Sequence, residues 1–189
     1  MEKIPARKIA RVLYVLVLVT LVCNLIALFL VPTFVALKGN LFELLDIWHD
    51  PQDPVNPLVA ILLMWPNMIL RENIAYEQVL TLFLLFSGCC TAVILWQARR
   101  VLQTILRGEP FAASNAVSLR RAAVFCFLIA GAAMARVLFS VGYYQSPRPL
   151  ATYNALFVPM FAMGGLLCLV MSALFRQAAE LKAENDLTI

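Results

Sequence analysis

Apolar residues in this chain are gathered into four long blocks, and the polar residues fall between them. Residues 12–37 read VLYVLVLVTLVCNLIALFLVPTFVAL without a single charge. Residues 76–97, YEQVLTLFLLFSGCCTAVILWQ, carry only Glu77, near one end. Residues 122–144 are interrupted by Arg136 alone, and residues 153–175 hold no charge. Crossing the hydrocarbon of a bilayer takes about 20 mostly apolar residues. A backbone there has no water to bond to, so it must close its own hydrogen bonds, and each block predicts a transmembrane helix. The longest allows for some tilt. Pro32 marks the end of the first helix or a kink near it. The pattern predicts an all-α chain, an integral membrane four-helix bundle forming a single domain over residues 1–189.

The segments between the blocks differ in character. Residues 38–75 form the longest loop. Their first part, FELLDIWHDPQDPVNP, is acidic and broken by prolines, and their second, LVAILLMWPNMIL, is strongly apolar. Thirteen residues with Pro66 inside are too few for a fifth span, so this piece is expected as an interfacial or re-entrant segment. Trp48 and Trp65 suit the headgroup level. Residues 98–121 connect the second and third helices. Here the second helix continues as WQARRVLQTIL, Gly108 supplies a C-cap, Pro110 blocks continuation, and Ser114 or Asn115 caps the next helix. The stretch QSPRPLA before the fourth block is a short turn. Residues 176–189 extend the fourth helix as a polar rod with an apolar edge at Leu174, Ala178 and Leu181.

Charge orients the four helices. The amino-terminal stub, the connector and the tail hold eleven of the fifteen Lys and Arg residues, against three (Lys38, Arg71 and Arg148) on the other side. Loops rich in Lys and Arg stay cytoplasmic, so both termini and the connector are expected inside, and the long loop outside. Lys3, Arg7, Lys8 and Arg11 resemble the charged region of a signal peptide. The apolar run after them far exceeds the 7–15 residues of such a signal, and an uncleaved first helix is expected.

Composition agrees with this picture and removes other classes. The chain is 62% hydrophobic and 14% charged, with a mean hydropathy of +0.84. Soluble domains are about half apolar and about a quarter charged. The net charge of +4 is a topology signal, and no basic, aromatic-interleaved surface of the kind that binds nucleic acid occurs. No H-E-x-x-H, P-loop or G-x-G-x-x-G is present, and no Ser, His and Asp set lies on one side of the membrane. No enzyme and no cofactor is expected. Inverted repeats with midplane polar sites, the mark of many transporters, are absent, although helix 4 contains Pro159 and Gly164-Gly165.

Three features carry chemistry worth testing. His49, the single histidine, stands at helical spacing with Glu43, Asp46 and Asp50, but three ligands without a second His or a Cys make a poor metal site, and none is assigned. Five cysteines (Cys23, Cys89, Cys90, Cys126 and Cys168) all fall in membrane blocks without a C-x-x-C, and read as small packing residues. Arg136 is the intramembrane charge. It lies about 12 Å along the helix from its outer end, and such a residue is by default a functional hypothesis. A clamp of helix 3 onto helix 2, through Glu72 or Glu77, is the expected role.

The connector and the tail carry a recognisable signature. Ile105, Leu106, Gly108, Pro110, Phe111, Asn115, Leu119, Arg120 and Arg121, followed by ELKAENDLTI at residues 180–189, resemble the YoaS-like bacterial membrane proteins. The resemblance implies a four-helix protein of the bacterial inner membrane, in a family of unknown function often encoded beside small Cro/C1-type helix-turn-helix regulators. It implies a membrane-bound partner that holds or antagonises such a transcription factor, and no catalytic residues. The docking surface expected on this basis comprises Arg107, Phe111, Asn115, Arg120 and Arg121 of the connector with Glu180, Lys182, Glu184 and Asn185 of the tail. Membrane lipid and a small DNA-binding regulator are the expected partners, with room for homo-oligomers and no direct contact to nucleic acid. The rival reading is a small-molecule or lipid-binding membrane protein, a carrier or channel subunit, working through Arg136 and the outer loop.

Overall fold

A computed structural model describes residues 6–36 and 75–186 of the chain. The long loop, with its apolar segment and the His49 acidic cluster, lies outside the described residues, as does the end of the tail. Four α-helices and one short 3₁₀ turn follow in order: α1 (Ala6–Ala36), α2 (Ala75–Leu106), α3 (Ala113–Tyr144), the turn at Arg148–Ala151, and α4 (Tyr153–Asp186). No strand occurs among the described residues. All four helices are long and apolar enough to cross a membrane.

Each helix outruns the apolar block that predicted it. The second continues to Leu106, the third begins at Ala113, and the fourth ends at Asp186, because Gln, Arg, Glu, Lys and Ala sustain helix well in water. Pro32 lies within α1, which runs on to Ala36. The ring removes only the bond to the Leu28 carbonyl in the penultimate turn. The loop before α4 is more ordered than a plain turn. Gln145 ends α3 at φ 47° in the left-handed region, and Pro147 and Pro149 frame the 3₁₀ turn. Thr152 closes that turn, its Oγ1 donating to the Pro149 carbonyl at 2.7 Å.

The helices pack in series: α1 against α2, α2 against α3, and α3 against α4. The chain is thus a layer of antiparallel helices with α3 most deeply placed. In α3, 39% of the most apolar stretch is buried, against 17% in α2 and 11% in α4, and α1 is the least buried of the four. The buried stripe of α3 is Ala122, Ala123, Cys126, Ile129, Ala130, Ala133, Val137 and Ser140, mostly small residues at helical spacing. Lipid tails are as apolar as leucine, so membrane helices associate through close packing of such residues. Two glycines mark the tightest approaches. A Cβ on Gly88 of α2 would stand 3.1 Å from Leu28 of α1, and one on Gly165 of α4 would stand 3.1 Å from the Phe127 ring of α3. Buried Cys90 and Cys126 belong to these seams, and no cysteine is in a disulfide among the described residues.

Ring contacts close the end of the layer opposite the connector. Tyr76 at the start of α2 meets Tyr144 edge-on, with centroids 5.5 Å apart, and Tyr143 at 6.0 Å.

The glycine seams give opposite expectations for one kind of substitution. Gly165→Leu should lower stability by about 1–3 kcal/mol, because the side chain must displace the Phe127 ring. Gly131→Leu meets open space and should be neutral or stabilising by up to about 1 kcal/mol through helix propensity. Thermal unfolding of both variants in detergent micelles checks the contrast.

Candidate functional site

The arginine-rich end of the layer gathers the residues with chemical potential. Contacts between distant segments show which helix ends meet there. Near the start of α1, the Tyr14 hydroxyl accepts bonds from Arg99 Nε and Gln103 Nε2 of α2, each at 3.3 Å. Ser172 of α4 donates to the Ala116 carbonyl in the first turns of α3 at 2.7 Å. The connector between α2 and α3 therefore shares one end of the molecule with the start of α1 and the extension of α4.

The connector ends α2 by a Schellman motif. Gly108 takes φ +88°, its N–H donates to the Ile105 carbonyl at 3.1 Å, and Glu109 N–H reaches the Thr104 carbonyl at 3.0 Å. This is the six-to-one and five-to-two pairing of a left-handed helix end, which glycine adopts without the usual Cβ clash. Gly108 thus performs the expected C-cap. The start of α3 differs from expectation. Its N-cap is Ala112, in extended conformation with no side-chain bond. Ser114 and Asn115 lie inside the first turn, and neither is the cap.

Asn115 instead locks the connector from within. It is only 1% exposed. Its Nδ2 donates to the Pro110 carbonyl at 2.9 Å, and its Oδ1 accepts from Thr104 Oγ1 at 2.7 Å. One amide therefore joins the last turn of α2, the loop and the first turn of α3. Such burial withdraws Asn115 from any surface that a partner touches. The physical reason is its four-way bonding capacity: an amide both donates and accepts, which a turn crossing two helix ends needs and a serine supplies less well.

The remaining connector residues point outward. Phe111 is 50% exposed, with its ring 6.4 Å from that of Phe175 on α4. Arg107, Arg120 and Arg121 are exposed. In the tail, Glu180, Lys182, Glu184 and Asn185 lie exposed on the extension of α4. Arg176 Nε and Glu180 Oε1 pair across one turn at 2.9 Å, an exposed contact of small energetic weight. Leu174 and Leu181 form the exposed apolar edge.

Two cavities flank these elements. At the arginine-rich end, about 470 Å³ lie between α2 and α3, lined by Arg100, Gln103, Thr104, Arg107, Ser114, Asn115, Val117, Ser118 and Arg121. At the opposite end, about 360 Å³ lie beneath the 3₁₀ turn, with Tyr76, Arg136, Ser140, Tyr144 and Arg148 in the wall. Arg136 makes no ion pair with Glu77. Its guanidinium stands over the Phe83 ring of α2, 4.8 Å from the centroid. The clamp of helix 3 onto helix 2 is therefore made by a cation on an aromatic face, an interaction that needs no second intramembrane charge. Glu72, the other proposed carboxylate, lies outside the described residues. No group of three or more His, Cys, Asp or Glu fit to hold a metal occurs among the described residues.

Asn115→Ala should cost about 1–3 kcal/mol, since it strands the Pro110 carbonyl and leaves a gap where the buried amide stood. The Thr104 hydroxyl keeps its bond to the Val101 carbonyl. Gly108→Ala has room for its methyl and should cost about 1–2 kcal/mol from the left-handed backbone alone. Chemical or thermal unfolding of the full chain in detergent measures both.

No curated protein and no solved structure matches the chain. A family model does match, over residues 52–189, nearly three-quarters of the length. It covers α2, the connector, α3 and α4 with its extension, and leaves α1 outside. The chain, with its arginine-rich connector between apolar helices, belongs to the family described as "Protein of unknown function (DUF2975)".

Proposed function

We propose that the protein is a membrane-bound regulatory partner of a small cytoplasmic helix-turn-helix transcription factor. In this reading the arginine-rich end faces the cytoplasm of a bacterium and the membrane is the inner one. The eleven basic residues of the stub, connector and tail support that orientation. The observation that carries the reading is Phe111. A half-exposed aromatic ring stands in the turn between α2 and α3, against Phe175 of α4, where Gly108 and Asn115 are spent on holding the connector together. Interface anchors are typically aromatic or Arg side chains ringed by weaker contacts. The signature shared with the YoaS-like proteins, and their frequent neighbourhood to such regulators, supports the choice of partner. Arg120 and Arg121 would steer an acidic face toward Phe111, and the α4 extension would widen the surface. Holding the regulator at the membrane keeps it from DNA, so the proposed activity is sequestration, with no catalysis by this chain.

A second reading has one observation behind it. The cavity beneath the 3₁₀ turn contains Arg136 and Arg148 with two tyrosines, a set fit for an anionic small molecule or lipid. Arg136→Gln would then abolish ligand binding and leave the regulator untouched.

The test is membrane retention of a small Cro/C1-type helix-turn-helix regulator co-expressed with the full chain. Phe111→Ala should weaken its capture by at least about tenfold, as loss of an interface anchor does. Removing residues 180–189 should weaken it as well. Equal retention by both variants and the parent chain, at equal membrane abundance, overturns the proposal.

A further inference from the structure

The cavity at the arginine-rich end has a wall chemistry that regulator docking does not explain. Arg100, Gln103, Thr104 and Arg107 on α2 stand at positions i, i+3, i+4 and i+7, and so do Ser114, Val117, Ser118 and Arg121 on α3. Residues at that spacing share one helix face. The two helix ends thus present matching polar stripes to the same space of about 470 Å³, a size suited to a small molecule or a lipid headgroup. Three guanidiniums converge there and no carboxylate lines the wall. Among the described residues, none of the three is ion-paired. Orientation by basic residues explains why arginines are present on this side, but not why three of them converge on one cavity. The connector's other two arginines have different situations. Arg99 is engaged by Tyr14 and stands over Trp96, 4.7 Å from its ring, while Arg120 lies off the cavity.

We propose that this cavity is a binding site for a phosphate group, held by Arg100, Arg107 and Arg121 with the hydroxyls of Ser114 and Ser118. A phosphate offers several acceptor oxygens and at least one full negative charge. Arginine forks match it with paired hydrogen bonds, and serine hydroxyls add short neutral donors. The floor is prepared in advance, since Asn115 is held by Thr104 and Pro110 and ties the two stripes together. The depth of the cavity fits a headgroup. Trp96 is exposed on α2 and suits the interfacial level. Arg100 follows it by about 6 Å and Arg107 by about 16 Å along the helix. The phosphate therefore comes either from an anionic phospholipid of that leaflet or from a phosphorylated solute. Basic pockets between membrane helices are known to recruit such headgroups. Phe111 does not line the site, and the phosphate reading stands without a protein partner, although Arg107 and Arg121 also belong to the proposed docking surface.

The experiment uses the purified full chain without a regulator. In one arm it is reconstituted in nanodiscs of mixed phosphatidylglycerol and phosphatidylcholine, then released for native mass spectrometry to count retained lipid. In the other it is held in lipid-free neutral detergent and titrated with inorganic pyrophosphate while thermal stability is followed. The parent chain and Arg11→Gln, which changes an exposed arginine of α1 outside both cavity walls, should both show the same signal. That signal is selective retention of phosphatidylglycerol if the source is lipid, or a dose-dependent rise in Tm if the source is soluble. The R100Q/R121Q double variant should lose it by about tenfold or more, and each single variant by about fivefold. The single variants decide the matter if the double variant does not fold. No signal in the parent chain, or an equal signal in the arginine variants, overturns the proposal.

Discussion

Lipid gives a membrane helix no hydrophobic reason to leave it, and this constraint governs the layer. In water, burying α1 alone would contribute tens of kcal/mol of apolar transfer energy. In a bilayer its leucines and valines are equally well placed against acyl chains, which is why most of its apolar span stays exposed, with Leu21, Thr33 and Val35 among its few buried residues. Association must come from close packing and a few polar bonds. Those are concentrated on α3, whose small residues let α2 and α4 approach from either side. The glycines at 88 and 165 and the cation–ring contact of Arg136 with Phe83 are the sites where that approach is fixed. A chain held by so few specific contacts depends on its ends, where bonds to Tyr14, Asn115 and Ser172 set the helix registers.

This explains what was legible in the sequence. Apolar length alone marks the four helices, because a hydrocarbon slab tolerates one secondary structure and demands a minimum run of it. Gly108 and Pro110 mark the break between α2 and α3, since few residues accept a left-handed backbone. The start of α3 was misplaced by the usual rule that a serine or asparagine before a helix caps it. Here Asn115 spends both ends of its amide on the preceding helix and loop, a tertiary demand that local spacing does not reveal. Arg136 was expected to need a carboxylate. Its partner is a ring 53 positions earlier in the chain, and nothing in local sequence distinguishes Phe83 from the eleven other phenylalanines.

The basic cavity was hidden for a different reason. Five arginines in one connector fit the expected membrane topology, in which Lys- and Arg-rich loops stay on one side. It concerns only which side the charges lie on. Their convergence depends on the phase of two helices, set by the length of the loop from 107 to 112 and by the Schellman geometry that turns it. Within α3 itself, one residue more or fewer before Arg121 would turn that side chain by about 100° about the helix axis, away from Arg100 and Arg107.

The same geometry separates two uses of the connector that the sequence runs together. Phe111 sits at the apex of the loop, between the arginine cavity and the ring of Phe175 on α4. Phosphate in the cavity would neutralise charge at Arg107 and Arg121 without covering that ring. A protein seated on Phe111 and the α4 extension would, in turn, leave the polar stripes of α2 and α3 in contact with the headgroup layer. The two sites share Arg107 and Arg121, which line the cavity and also belong to the proposed docking surface, so a phosphate and a protein partner would draw on the same guanidiniums. Asn115 stands between the two sites: its amide lines the cavity and bonds both Thr104 of α2 and the Pro110 carbonyl beside Phe111. That single buried side chain is the structural element common to the cavity wall and to the loop that carries the ring.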